Sequence, residues 1–167
     1  MKSNLYGVLS LIVIAYTMNC CSSDNVEPED TNVSSPKVMD YTYISSELET
    51  LKLINDYRVS IGLNALEKIN HISYKSEEHD NYMIAHNVVN HNGFVERSEN
   101  MTNVLGAKTV GEIIAYNYNS PQAVFAAWLN SPKHRETIIG DYTHFGISIR
   151  ENPHNKRKYY TNIFIKI

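Results

Sequence analysis

Three short segments hold the side chains best suited to chemistry. N-H-N-G-F carries His91, V-G-E-I-I-A carries Glu112, and N-S-P-K-H-R carries His134. Each sets a titratable group beside a Gly or Pro turn signal, next to a regular element. Two imidazoles and a carboxylate can ligate a metal such as zinc. They can also move a proton, or form a hydrogen-bonded cluster that only holds loops together. The three lie far apart in the chain, so spacing alone does not choose among these roles.

The remaining histidines carry weaker signals. The chain has seven in all. His79 and His86 fall two turns apart on one expected helix and share a face, but they lack the i, i+4 spacing of an H-E-x-x-H zinc helix. They read as partly exposed surface residues. His71 lies in an expected connection, and His154 in a charged turn. Cys20 and Cys21 are the only cysteines, and G-x-S-x-G is absent, so no nucleophile motif accompanies the His/Glu set. Ser131 is the candidate nucleophile, although a serine starting a helix usually engages backbone N–H groups.

The elements that must position these residues follow from pattern. Ser46 with Glu49 forms a capping-box pattern, and Leu48, Leu51, Ile54 and Tyr57 follow at helical spacing up to Gly62. A second helix is predicted over Ile72 to Val89, ended by the N-H-N-G-F turn. Val110 to Tyr118 reads as a strand. Ser120-Pro121 and Ser131-Pro132 each pair an N-cap serine with proline at the first helical position, so a third helix and a short fourth are expected, the latter to about Ile139. His144 to Arg150 and Tyr159 to Ile167 read as closing strands joined by the basic tip N-P-H-N-K-R-K. The expected order is helix, helix, strand, helix, helix, strand, strand, an α+β domain with helices covering a small antiparallel sheet.

Composition bounds the rest. The chain has 167 residues, 43% hydrophobic and 20% charged, with a net charge of −3. That suits one globular domain with extras and gives no sign of a nucleic-acid partner. The acidic surplus sits between Ser22 and Asp40, where Asp24, Glu27, Glu29, Asp30 and Asp40 face only Lys37. A segment so rich in Ser, Asp, Glu, Asn and Pro buries too little apolar surface to order itself and reads as a tether. Before it, Lys2 and the apolar run Leu5 to Tyr16 fit a signal peptide; the run is shorter than the roughly 20 residues of a spanning helix. The run ends at M-N-C-C-S-S-D-N. A cysteine after an apolar signal, followed by Ser-Ser-Asp, resembles the lipidation site of bacterial lipoproteins, which implies acylation at Cys21, with Cys20 as the alternative. The domains expected are residues 1–20 as signal peptide, 21–43 as lipidated cysteine and tether, and 44–167 as the globule.

The globule resembles the CAP superfamily, which includes cysteine-rich secretory proteins, antigen 5 and pathogenesis-related 1 proteins. L-I-N-D-Y-R-V-S-I-G-L-N-A-L, from Leu53, is similar to the family's first helix and following turn. N-H-N-G-F resembles its S-H-x-G-F, and V-G-E-I-I-A its G-E-N-I-A, with Ile113 where Asn is usual. W-L-N-S-P-K-H-R-E-T-I-I resembles the bacterial SCP-like W-x-x-S-P-G-H-R-x-N-I-L, and F-G-I-S-I with Y-Y-T-N-I-F its closing strands. The resemblance implies a CAP-type α-β-α sandwich and a cleft holding two His and two acidic residues. His91, Glu112 and His134 match three of those positions. Ser131 stands where eukaryotic members have the second acid, and Lys133 where glycine is usual. One lost carboxylate leaves two imidazoles and one acid for any zinc ion, with at least one position open to water.

Three functions are then open. The favoured one is an extracytoplasmic, membrane-anchored binding module on the bacterial cell envelope, using His91, Glu112, Ser131 and His134 for a lipid, peptide or glycan. The second is a metal-assisted hydrolase with His91 or His134 as general base and Glu112 orienting it. The third is a structural surface lipoprotein whose His/Glu cluster only ties loops together.

Overall fold

The computed structural model describes residues 37–167. The expected signal segment, Cys20, Cys21 and most of the tether lie outside them. Five helices and four strands follow in the order α1 (Ser45–Ser60), β1 (Glu67–Lys68), α2 (Asn70–His86), α3 (Phe94–Leu105), β2 (Thr109–Tyr116), α4 (Pro121–Asn130), α5 (Pro132–Ile138), β3 (His144–Glu151) and β4 (Lys158–Lys166). The sheet order is β1-β3-β4-β2. Its three long strands are antiparallel, as expected; the two-residue β1 adds a parallel edge beside β3.

The sheet is covered on both faces, so β4 is buried almost throughout rather than on alternate residues. Tyr160 and Phe164 point into a core shared with Leu51 and Ile54 of α1, Val124 and Trp128 of α4, and Ile138 of α5. Ile163 and Ile165 point the other way, against Ile72 of α2 and Met101 of α3. The result is the expected α-β-α sandwich. Gly146 lets the α2 backbone come close to β3: a Cβ there would lie 2.5 Å from the Ser73 backbone nitrogen.

Several local expectations change. The box at the start of α1 uses Glu47, not Ser46 with Glu49: Ile44 is the N-cap, and its N–H donates to Glu47 Oε2 at 2.9 Å. Glu47 wins because it is fully buried and also receives Tyr41 Oη (2.6 Å), Ile149 N (2.9 Å) and Arg150 Nη1 (2.8 Å). Tyr41 therefore belongs to the fold, as does Met39, whose N–H donates to His71 Nδ1 at 3.1 Å. The ordered domain thus begins before residue 44. Helix α2 stops at Asn87, in the left-handed region with φ 50°, short of Val89. His71 sits in its first turn and is buried, not in a connection, and its Nε2 meets Asn100 Oδ1 at 2.7 Å.

Helix α3 has no counterpart in the expected order. It follows Gly93, which takes φ 73°, and ends at Gly106. Its inward row is Arg97, Met101 and, partly buried, Leu105. Phe94, Met101 and Leu105 form an apolar stripe at helical spacing, and the guanidinium of Arg97 is buried beside it.

Candidate functional site

β2 is an edge strand, and the site lies along that edge. The two helical layers reach it from opposite sides: α3 and the turn before it on one, α5 on the other. Glu112 shares its register position with Ile163 and points to the α3 layer. Gly111, one residue earlier, points to the α5 layer, where any Cβ would collide with the Tyr142 ring and crowd Thr137. The Gly-Glu pair therefore does two jobs: glycine lets α5 close on the strand, and glutamate anchors α3.

Glu112 is the best-held group in the site. Its Oε1 receives His91 Nδ1–H at 2.8 Å and Arg97 Nη2–H at 2.8 Å, and its Oε2 receives Arg97 Nε–H at 2.8 Å. Its side chain is only 1% exposed, against 50% for His91. Burial alone would raise its pKa, but the hydrogen bonds from His91 and Arg97 and the Arg97 charge outweigh it, and the net shift is downward. Glu112 is an ionised, spoken-for carboxylate.

The turn carrying His91 is pinned on both flanks. Arg97 Nη1–H donates to Asn92 O at 2.8 Å, and His79 Nε2 meets Asn90 O at 2.8 Å. Asn92 Nδ2–H donates to Tyr82 Oη at 3.1 Å. His79 is thus a buried supporting residue and not the surface histidine expected; His86, on the same helix, is exposed. Burial chiefly, then the Arg97 charge, lowers the His79 pKa. That leaves its ring neutral, with Nε2–H donating to the Asn90 carbonyl. Arg97 and His79 are the residues the sequence reading missed.

His134 faces the turn from α5. It is the third residue of a seven-residue helix that begins at Pro132. Its pKa is lowered, first by burial and second by the neighbouring His91. The α5 C-terminus is fixed by the buried Arg58 of α1, whose Nη1 donates to Ile138 O (2.6 Å) and Gly140 O (2.9 Å). Ser131 is the N-cap position, but its hydroxyl makes no cap bond. Between the two layers opens a cleft of about 400 Å³, lined by His91, Phe94, Val110, Gly111, Glu112, Lys133, His134, Glu136 and Thr137. A second hollow of about 350 Å³ shares His134 and is lined also by Ser131, Trp128, Tyr116 and Tyr118.

The structure brings His91, Glu112 and His134 to one cleft, with Ser131 just beyond. The sequence model of the CAP family, the cysteine-rich secretory protein family, matches residues 51–164. The chain belongs to that family. The CAP domain is 34% identical over 128 residues to an uncharacterized membrane protein, YlbC, of Bacillus subtilis; the match covers 73% of the chain. It spans 35% of that relative's length. The CAP fold matches an outer surface protein of Borrelia burgdorferi with a TM-score of 0.65 and 20% identity, over 75% of this chain and 98% of that one. It also matches an extracellular SCP-domain protein of Bacillus anthracis with a TM-score of 0.64 and 22% identity, over 73% of this chain and 40% of the other.

The geometry does not favour a zinc site built from His91, Glu112 and His134. Among the described residues, no three His, Cys, Asp or Glu side chains form a group able to hold a metal ion. The physical reason is Arg97. Both Glu112 oxygens face its guanidinium, and His91 Nδ1 is already bonded to Oε1. Two imidazoles remain, fewer than the three protein ligands of a catalytic zinc site or the four of a structural one.

Proposed function

We propose that this CAP domain is an extracytoplasmic binding module, tethered to the bacterial cell envelope, whose cleft receives the polar end of a lipid, peptide or glycan. The observation that supports it is the division of labour in the cleft. Glu112 is buried and held by Arg97, while His91 is half exposed beside an apolar floor of Phe94 and Val110. Such a mixture of apolar wall and a few fixed polar groups is the usual composition of a small-ligand site. A hydrolase needs more. The His91–Glu112 bond supplies the orienting group that a His91 general base would use, but a nucleophile held beside the imidazole is also required. Among the described residues, no hydrogen bond joins the Ser131 hydroxyl to His134.

The extracytoplasmic setting is supported by the relatives, which include a membrane protein, an outer surface protein and an extracellular protein. Anchoring at Cys21, or at Cys20, extends that reading. Intact mass of the protein from native membranes tests it: acyl chains on a chain starting at Cys21 or Cys20 are expected, and an unacylated chain starting later refutes the anchor.

The ligand is approached by native mass spectrometry of the wild type after incubation with envelope lipids, peptides and glycans. A retained, chemically unchanged ligand is expected, with at least a tenfold loss of occupancy in His91→Ala and His134→Ala. Turnover of the bound compound would replace binding by catalysis, and equal retention by both variants would move the site elsewhere.

A further inference from the structure

The cleft of a CAP domain with two histidines and an acid invites a metal, yet this chain supplies its own cation. Arg97 lies one turn into α3, with its side chain 9% exposed. It meets Glu112 through two parallel N–H···O bonds, the bidentate arrangement that makes an Arg–carboxylate pair strong and directional. Its third contact, to Asn92 O, fixes the backbone directly after His91. One guanidinium therefore holds both the carboxylate and the loop that present the imidazole.

We infer that Arg97 is the built-in counter-cation of this cleft, which excludes divalent metal from Glu112 and makes His91 a hydrogen-bond acceptor toward the ligand. Three observations carry this. First, an ionised carboxylate offers about four lone-pair positions, and three are taken by Arg97 Nε–H, Arg97 Nη2–H and His91 Nδ1–H. A metal ion would have to displace a buried guanidinium. Second, the local charge is already balanced: Arg97 neutralises Glu112, and Lys133 adds a positive charge on the cleft wall. A dication would meet no net negative charge. Third, the bond to Glu112 fixes the proton of a neutral His91 ring on Nδ1, because an ionised carboxylate can only accept. The Nε2 lone pair is left without a partner among the described residues, on a half-exposed ring that lines the cleft.

The consequence is a specificity. The group seated against His91 must bring a proton: a hydroxyl, an amide N–H or an ammonium. This deepens the binding reading, but its test needs no ligand, so the two can fail separately.

The full-length chain in detergent is titrated with Zn²⁺ by calorimetry, and its histidine rings are examined by long-range ¹H–¹⁵N NMR at pH 8. Wild type is expected to show His91 protonated at Nδ1 and to bind Zn²⁺ at least tenfold more weakly than Arg97→Met, in which Glu112 is released. Arg97→Lys keeps the charge and is expected to stay closer to wild type in Zn²⁺ affinity, a rescue that a merely structural role would not produce. The inference is overturned if wild type binds Zn²⁺ as tightly as Arg97→Met, or if the wild-type His91 proton resides on Nε2. Should Arg97→Met fail to fold, the wild-type tautomer and the comparison of wild type with Arg97→Lys decide.

Discussion

Arg97 and Glu112 meet through a paired contact, Nε to Oε2 and Nη2 to Oε1, both at 2.8 Å, inside the packed layer between α3 and the edge strand β2. Removing one partner leaves the other as an uncompensated buried charge. Glu112→Ala is therefore expected to destabilise the CAP domain by about 3–5 kcal/mol. Urea denaturation measures it. A midpoint equal to wild type would mean that the pair contributes nothing to holding α3 on the sheet.

The same pair has a pH signature. The Glu112 pKa is lowered from about 4.5 in the folded state. Its contribution is present above the unfolded value and is lost as pH falls through the folded one. His79 and His134 act in the same direction at higher pH. Both have folded pKa values below the ordinary 6.5. Their contribution is full above 6.5 and declines as pH falls from there toward their folded values. The His91 turn is expected to loosen first on acidification. Amide hydrogen exchange at Asn90 to Asn92, corrected for intrinsic rate, should speed up between pH 7 and pH 5 in wild type. A flat profile would remove the burial of charge at His79 as a cause of that loosening.

Asp80 behaves oppositely. It is fully buried between α2 and the sheet, with Oδ1 accepting from Thr161 Oγ1 at 2.7 Å. Burial raises its pKa well above the usual carboxylate range, and the hydroxyls of Thr161 and Ser148 offset this only in part. An acid raised in the folded state costs stability once pH rises above its unfolded value. Asp80→Asn is expected to stabilise the protein more at pH 8 than at pH 4. Thermal unfolding at the two pH values checks it, and an equal effect at both would remove the titration as the cause.

Gly111 sets the distance between β2 and α5. Gly111→Ala drives a methyl group against the Tyr142 ring and Thr137 Cγ2. A cost of about 1–3 kcal/mol is expected, as for overpacking elsewhere. Combining it with Tyr142→Ala should recover part of that cost, measured as a coupling in a double-mutant cycle. Strict additivity would show that the strand relaxes without involving Tyr142.

Most of this CAP domain is legible in its residues because most of its elements are marked locally. Ser120 is the N-cap of α4, its Oγ accepting from Ala123 N at 3.2 Å, with Pro121 next. The β3 and β4 patterns are rich in β-branched and aromatic residues and are separated by a polar turn. His91, Glu112 and His134 stand out because each sits beside a turn residue, and turns are where a sequence shows its geometry. Burial of single polar residues is not marked in this way. Glu47, Arg58, His79, Asp80 and Arg97 look like surface residues on helices, and all are buried.

By itself, the sequence determined the α+β class through periodicity, caps and turn chemistry, and its motifs, by their resemblance to the CAP family, implied that three distant segments share a cleft. Only the tertiary structure decided what Glu112 does. That depended on which cation lay opposite it, and Arg97 comes from a helix fifteen residues earlier in the chain. A long-range ion pair leaves no period in the chain, so the partner, and with it the chemistry of the cleft, emerges only on folding.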